Sequence, residues 1–151
     1  MIEIQPVAKV DVSLEVPRSK SLTHRALIAA ALAKGESILL GPLESEDTAY
    51  SSSALSLLGA VINKNSDWRI RGNGGVVKPV GEAIFLGNNG TATRFLTSVA
   101  ALGYGPYIID GDARMQQRPI GPLMTALQGW GVDIQSMRGT GCPPLLIHGK
   151  G

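Results

Sequence analysis

Residues 16–41, "VPRSKSLTHRALIAAALAKGESILLG", and residues 86–111, "LGNNGTATRFLTSVAALGYGPYIIDG", are two versions of one pattern. They align without a gap at an offset of 70 residues, the difference between 86 and 16. Identical residues recur at the polar start, in the alanine-rich centre and at the closing glycines: Thr23 and Thr93, Ala30 and Ala100, Ala31 and Ala101, Leu32 and Leu102, Gly35 and Gly105, Ile38 and Ile108, and Gly41 and Gly111. A repeat of this length indicates that the chain contains two copies of one structural unit.

The repeat continues with small insertions. "ALSLLGAVI" at 54–62 matches "ALQGWGVDI" at 126–134, and "IRGNG" at 70–74 matches "IHGKG" at 147–151. Each copy is typical of a strand, a polar turn, a helix rich in alanine and leucine that ends at glycine, a strand, a second helix and two closing strands. The sequence therefore predicts an α/β fold in the order β-α-β-α-β-β, twice.

The predicted unit boundaries follow from this pattern. Residues 1–15 alternate like N-terminal strands, 16–81 form the first unit and 82–151 the second. Gly151 falls where the second unit should finish, so the chain looks like a piece of something longer. We expect helices at 22–34, near 48–58, at 91–102 and near 119–130. We expect short strands at 37–40, 61–64, 68–71, 107–110, 133–137 and 145–148.

The composition is that of an ordinary soluble globular domain, because 44% of the 151 residues are hydrophobic and 17% are charged. The net charge of +2 is too small to indicate nucleic-acid binding. With one cysteine, Cys142, and two histidines, His24 and His148, we expect neither a disulfide nor a metal centre, and a reducing compartment such as the cytoplasm. No apolar run approaches the ~20 residues of a membrane span.

Three of the four predicted helix starts carry basic side chains where acids usually stand. These side chains are Arg18, Lys20 and Arg25 at the first start, Arg94 after the turn at Asn88, Asn89 and Gly90, and Arg114 and Arg118 before Pro119, the expected first residue of the last helix. The remaining start, "SEDT" at 45–48, supplies its own cap and two carboxylates. Free N–H groups beside cations form a ready anion site, so the recurrence favours binding of phosphate or carboxylate groups. Taken singly, each start also fits solvated surface charges or a plain capped turn.

Three segments resemble one known family. "LGNNGTATRFL" and "DGDARMQQRPIGPLMTAL" resemble the two signature segments of the EPSP synthases, the 3-phosphoshikimate 1-carboxyvinyltransferases, and "VPRSKSLTHRALIAAALAKGES" resembles their N-terminal substrate loop. The resemblance covers essentially the whole chain in the correct order. It implies an inside-out α/β barrel of two domains, each with three β-α-β-α-β-β units. This chain would supply two units of one domain, and its first strand would pair with the other domain.

The resemblance also implies a reaction and roles for individual residues. The family moves the enolpyruvyl group of phosphoenolpyruvate onto the 5-hydroxyl of shikimate 3-phosphate, without a metal or organic cofactor, and binds the inhibitor glyphosate. Lys20 would contact both substrates and is the best candidate for a catalytic role. The other implied roles are shikimate 3-phosphate binding by Ser21 and Arg25, phosphoenolpyruvate binding by Gly90 and Arg118, and loop support by Asn88 and Thr91. The complete enzyme would be a cytoplasmic monomer.

Two residues differ from the family pattern, and two alternative functions stay open. Arg18 stands where the family usually has glycine, and Phe95 where many members have proline. The family's serine-serine-glutamine motif and its proton-transfer groups have no counterpart in these 151 residues, so we expect the chain by itself to bind without turnover. The alternatives are a stand-alone anion-binding module and the related transferase acting on UDP-N-acetylglucosamine, whose usual loop cysteine finds no match in "DARMQQRP".

Overall fold

The structure, a computed structural model, describes residue 6 and residues 9–151. The first half contains helix α1 (Lys20–Leu32), strand β1 (Lys34–Leu39), helix α2 (Glu46–Leu57) and strands β2 (Val61–Lys64) and β3 (Trp68–Asn73). The second half contains strand β4 (Ala83–Phe85), helix α3 (Gly90–Ala101), strand β5 (Tyr104–Asp110), a 3-10 turn (Met115–Gln117), helix α4 (Gly121–Gly129) and strands β6 (Asp133–Ser136) and β7 (Leu145–Lys150).

The two halves form two sheets of related topology. The first has the order β1-β3-β2 and the second the order β4-β5-β7-β6. Strands β1, β3 and β2 are antiparallel neighbours, as are β5, β7 and β6, whereas β4 runs parallel to β5. The predicted α/β fold is confirmed, and in the second half the predicted order of elements is complete. The domain bounds 1–15, 16–81 and 82–151 stay a prediction.

A glycine at the same place in each sheet lets the first helix of the half approach closely. Gly72 faces Gly35 across β3 and β1, and Gly149 faces Gly105 across β7 and β5. A β-carbon on Gly72 would lie 2.5 Å from the carbonyl oxygen of Ala30, and one on Gly149 would lie 2.8 Å from that of Ala100. The last turn of α1 and of α3 therefore packs directly on the sheet, which fixes the position of each helix on its sheet.

The helices α1, α2 and α3 contact one another as well as the sheets. The core between them is continuous from one half to the other. Its largest fully buried side chains include Leu27, Leu55, Leu58, Trp68, Ile70, Ile84, Leu96, Tyr107, Ile109 and Ile120. Burial of this apolar surface supplies the main driving force for holding the helix starts in fixed positions.

The N-terminal strands predicted for 1–15 are not seen where the structure describes them. Residues 9–19 form no strand, and residues 1–5, 7 and 8 lie outside the described residues. Val10, Val12 and Leu14 are 70%, 67% and 81% exposed. The alternating pattern is suited to a strand, but a strand also needs a neighbour for its backbone N–H and C=O groups, and no described strand pairs with 9–19.

The start of α4 also differs from the prediction, which placed it at Pro119. Ile120 is the N-cap, and the helix begins at Gly121 with Pro122 in its first turn. Ile120 is 1% exposed, and its N–H donates to the carbonyl of Gly141 at 2.9 Å. Burial of Ile120 and this long-range bond set the boundary, and Pro122 suits the first turn as well as Pro119 would.

Candidate functional site

The starts of α1, α2 and α3 and the loop before α4 surround one open cavity of about 560 Å³. Every site residue predicted from the sequence lines it: Lys20, Ser21, Arg25, Asn88, Gly90, Thr91 and Arg118. Asp47, Asn89, Arg94 and Phe95 line it as well. Residues that lie up to 98 positions apart, the difference between 118 and 20, are therefore brought together by the fold.

The first wall of the cavity is the start of α1. Ser19 is the N-cap, and its side chain accepts a hydrogen bond from the N–H of Leu22 at 3.3 Å. The helix begins at Lys20, two residues earlier than predicted, so Lys20 and Ser21 occupy the first turn. Their backbone N–H groups lie at the positive end of the helix dipole, where no acidic residue stands in the first turn.

Lys20 is paired across the cavity with Asp47, at the start of α2. Its Nζ lies 2.5 Å from the carboxylate, and the two side chains are 51% and 29% exposed. The helix α2 is otherwise capped by its own residues, as the sequence predicted, and Ser45 and Thr48 form a reciprocal capping box. Asp47 is therefore not needed as a cap and faces the cavity as its one described acid.

The second wall is the start of α3, where the polar turn Asn88-Asn89-Gly90 becomes helix. Asn89 is 2% exposed and caps the helix by accepting a hydrogen bond from the N–H of Ala92 at 2.9 Å. Its amide nitrogen donates to the backbone carbonyl of Asp47 at 2.9 Å, which ties α3 to α2. Gly90 does not have the positive φ that a turn glycine can adopt, because it is already the first residue of the helix.

Two arginines close the cavity on the side of α4. Arg94 donates to the carbonyls of Gly90 at 2.9 Å and of Pro119 at 3.1 Å, and so joins the start of α3 to the loop before α4. Arg118 follows the 3-10 turn, and its guanidinium donates to the carbonyl of Asn88 at 3.5 Å. Arg118 thus enters the cavity from a loop rather than from the helix start that the sequence predicted.

The remaining predicted residues add polar groups. Thr91 is exposed in the first turn of α3. The side-chain oxygen of Asn88 is buried and has no hydrogen-bond partner among the described residues. Arg18 does not line the cavity, because its guanidinium lies against Gly41 on another face.

Behind the cavity, His24 connects α1 to α2. It is fully buried, and its Nδ1 lies 2.8 Å from the hydroxyl of Ser51, which donates to the carbonyl of Asp47. Burial lowers the pKa of His24 below its usual 6.5, Asp47 opposes that shift, and Lys20 and Arg25 add to it. His24 is therefore a neutral structural link between α1 and α2 below the site.

The cavity is suited to a small polyanion. Four cationic side chains, Lys20, Arg25, Arg94 and Arg118, face one carboxylate and the N-terminal ends of α1 and α3. Among residue 6 and residues 9–151, no cluster of three or more histidine, cysteine or acidic residues could hold a metal ion. In the same residues, no helix combines the length and apolar character that a membrane crossing requires.

Sequence reasoning assigned no role to four lining residues, Asp47, Asn89, Arg94 and Phe95, and placed Asn89 only in the polar turn before α3. Arg94 was noted as a charge of the turn but given no role, although its spacing of four from Gly90 already places it above the helix start. Asp47 was interpreted only as a dipole partner of α2. Phe95 was noted only as a departure from the family pattern, and nothing local indicates that it reaches the cavity.

The fold is thus that of an α/β protein with repeated units, whose helix starts surround a cationic cavity. Residues 4–151 match the family described as EPSP synthase (3-phosphoshikimate 1-carboxyvinyltransferase), and the chain belongs to that family. The 3-phosphoshikimate 1-carboxyvinyltransferase of Rhizobium etli is 48% identical over 89% of this chain, and that of Pseudomonas syringae pv. tomato is 49% identical over 89%.

Solved structures agree with this assignment. The EPSP synthase of Acinetobacter baumannii superposes with a TM-score of 0.84 at 32% identity, over 90% of this chain. The chain spans 32% of the length of the two relatives and 31% of the Acinetobacter chain. The expected partial match to a longer enzyme is confirmed, and the related transferase acting on UDP-N-acetylglucosamine is the weaker alternative.

Proposed function

We propose that the cavity binds shikimate 3-phosphate and phosphoenolpyruvate, and that the chain supplies this part of the site of a 3-phosphoshikimate 1-carboxyvinyltransferase. One observation supports the proposal: in a chain of this family, Lys20, Arg25 and Arg118 lie beside two helix starts that have no acidic residue in the first turn. Both substrates are small polyanions, so their charges complement those of the cavity.

The proposed roles follow the three motifs. Ser21 and Arg25 hold shikimate 3-phosphate at the start of α1, while Gly90 and Arg118 hold phosphoenolpyruvate at the start of α3. Lys20 lies between them and contacts both. Its salt bridge to Asp47 is shared or given up when an anion enters, and in the complete enzyme the four cations offset the charge that develops on the departing phosphate.

The reaction itself places demands on the site. The 5-hydroxyl oxygen loses its proton as it adds to C2 of phosphoenolpyruvate, and C3 gains a proton. The C2–O bond to phosphate then breaks as C3 loses a proton, and phosphate is released. In our proposal this chain binds and orients the two anions without turning them over. Glyphosate occupies the phosphoenolpyruvate position, the protein is cytoplasmic as the single cysteine suggests, and the complete enzyme is a monomer.

Calorimetric titration of the 151-residue chain tests the proposal. Shikimate 3-phosphate should bind, and Lys20→Ala or Arg25→Ala should each weaken binding by roughly 10- to 100-fold, because a charged hydrogen bond contributes about 1.5–3 kcal/mol. Lys34→Ala and Arg71→Ala, on exposed strand positions away from the cavity, are the matched controls.

Two results would contradict the proposal. One is equal binding by wild type, Lys20→Ala and Arg25→Ala, which would make these residues ordinary surface charges. The other concerns the absence of turnover: phosphate release above the uncatalysed rate, at high protein concentration with both substrates, would show that the chain is catalytically complete.

A further inference from the structure

Phe95 lies one turn into α3 and touches a residue of α1. Its ring centroid is 5.2 Å from the guanidinium carbon of Arg25, within the range of a cation–π interaction. The two residues occupy the same place in the repeat, because 95 and 25 differ by the offset of 70 that aligns the halves. This contact therefore joins the two halves at the cavity wall.

Arg25 is held from both sides in this arrangement. Its Nη1 donates to the backbone carbonyl of Ser21 at 3.1 Å and to the hydroxyl of Ser21, while the aromatic ring lies against the guanidinium. An exposed arginine otherwise samples many rotamers, and ordering it on binding costs free energy. Fixing the guanidinium before the ligand arrives reduces that cost.

Phe95 is not required by the hydrophobic core. Its side chain is half-buried, it lines the cavity, and it belongs neither to the buried cluster nor to the partly buried residues that pack against that cluster. Its neighbour along the chain, Leu96, does belong to the core. The position of Phe95 therefore has no packing role that would account for a large aromatic side chain beside four cations.

We propose that Phe95 is a positioning residue for Arg25: the ring orients the guanidinium toward the cavity and so sets the affinity for an anionic group of the ligand. This inference rests on the proposed function for the identity of the ligand, but its physical content, an arginine oriented for an anion, can be measured with inorganic phosphate alone.

The experiment combines Phe95→Leu with Arg25→Gln. Phe95→Leu should weaken shikimate 3-phosphate and inorganic phosphate by about two- to fivefold, the range of an exposed cation–π contact. Phe95→Tyr, which keeps the ring, should retain wild-type affinity. Phe85→Leu, on β4 and away from the cavity, is the matched control. In the Arg25→Gln background, Phe95→Leu should have no further effect.

A spectroscopic measurement checks the geometry without any ligand. The side-chain protons of Arg25 should show a ring-current shift in wild type and in Phe95→Tyr that is lost in Phe95→Leu. Loss of affinity in Phe95→Leu that persists in the Arg25→Gln background would overturn the inference, as would unchanged binding in Phe95→Leu.

The two proposals fail in different ways. Wild-type protein that binds inorganic phosphate but not shikimate 3-phosphate contradicts the proposed function, while the role of Phe95 is still decided by the phosphate titrations. Wild-type protein that binds neither contradicts both.

Discussion

The first helices of the two halves share their scaffold and differ in what they present to the cavity. Ser19 and Asn89, both N-caps, are equivalent in the repeat, and the next equivalent pair, Lys20 and Gly90, begins each helix. Thr23 and Thr93 are both buried and both donate to the carbonyl of their own N-cap, at 3.0 and 2.9 Å. The positions that shape the helix start are repeated, whereas those that face a ligand have diverged.

The second helices diverge further. Helix α2 has a capping box and two acids in its first turn, whereas α4 has no side-chain cap and no acid there. At the offset of 72 that aligns these helices, Glu46 is equivalent to Arg118 in sequence. One half thus contributes a carboxylate to the cavity through the adjacent Asp47, and the other contributes a cation. One backbone unit is thus used twice with different charges at equivalent positions.

The largest expected effect tests the shared scaffold. Gly72→Ala and Gly149→Ala should each lower the free energy of unfolding by about 1–3 kcal/mol, because the new methyl group meets backbone carbonyls at the end of α1 or α3 that cannot move aside. Denaturant unfolding measures both. Gly129→Ala, which has open space within 4 Å, should leave stability unchanged or raise it by up to about 1 kcal/mol. A large loss of stability in only one of these two variants, Gly72→Ala or Gly149→Ala, would contradict the equivalence of the two units.

The two N-caps should differ in their contribution to stability. Asn89→Ala should cost about 2 kcal/mol, near the upper end for a cap, because the side chain is buried and also donates to the carbonyl of Asp47. Ser19→Ala should cost only about 0.5 kcal/mol, since Ser19 is exposed and its capping bond is 3.3 Å long. Urea denaturation of both variants decides the matter, and equal losses would contradict the distinction between a buried and an exposed cap.

The third prediction distinguishes the ligand proposed for the start of α1 from the ligands proposed for the start of α3. A β-carbon on Gly90 would lie 2.9 Å from Nη1 of Arg118 and 3.1 Å from Nη1 of Arg94, so Gly90→Ala should push both arginines aside. Affinity for phosphoenolpyruvate and glyphosate should fall about tenfold, or ~1.4 kcal/mol, while shikimate 3-phosphate should change less than about twofold.

The measurement is separate titration of each ligand, with phosphoenolpyruvate added in the presence of shikimate 3-phosphate. Gly121→Ala is the matched control, since Gly121 also begins a helix but has nothing within 4 Å of a built β-carbon. Equal losses for both substrates would indicate general disruption of the turn. No loss for either would make residues 88–94 an ordinary capped helix start.

The smallest expected effect concerns His24, whose equivalent in the second half is the exposed Arg94. Burial lowers the pKa of His24 in the folded chain. Above pH 6.5 the imidazole is therefore neutral in both the folded and the unfolded chain. Below that pH the unfolded chain takes up a proton that the folded chain resists. The free energy of unfolding should therefore fall between pH 6.5 and the lowered pKa, by at most about 1.4 kcal/mol per pH unit.

Chemical denaturation at pH 7 and pH 5.5 measures this slope. His24→Gln should remove part of it, because glutamine takes up no proton in either state. A slope of equal size in wild type and in His24→Gln would show that other groups account for the pH dependence.

The repeat, the order of most elements, the cap of α2 and seven of the eleven residues that line the cavity can be predicted from the sequence alone. These features are encoded over a few neighbouring residues, since a cap bonds within three positions, as Asn89 does with Ala92. The predicted bounds of α1 and α3 were therefore wrong by only one or two residues.

The partners that these residues contact in other elements depend on the tertiary structure. Asp47 pairs with Lys20 at a separation of 27 residues, Asn89 bonds Asp47 at 42, and Phe95 lies against Arg25 at 70. The start of α4 and the absence of a strand at 9–19 depend in the same way on distant neighbours. Local sequence specifies hydrogen bonds within a turn or a helix, whereas contacts between elements depend on how the core packs them together.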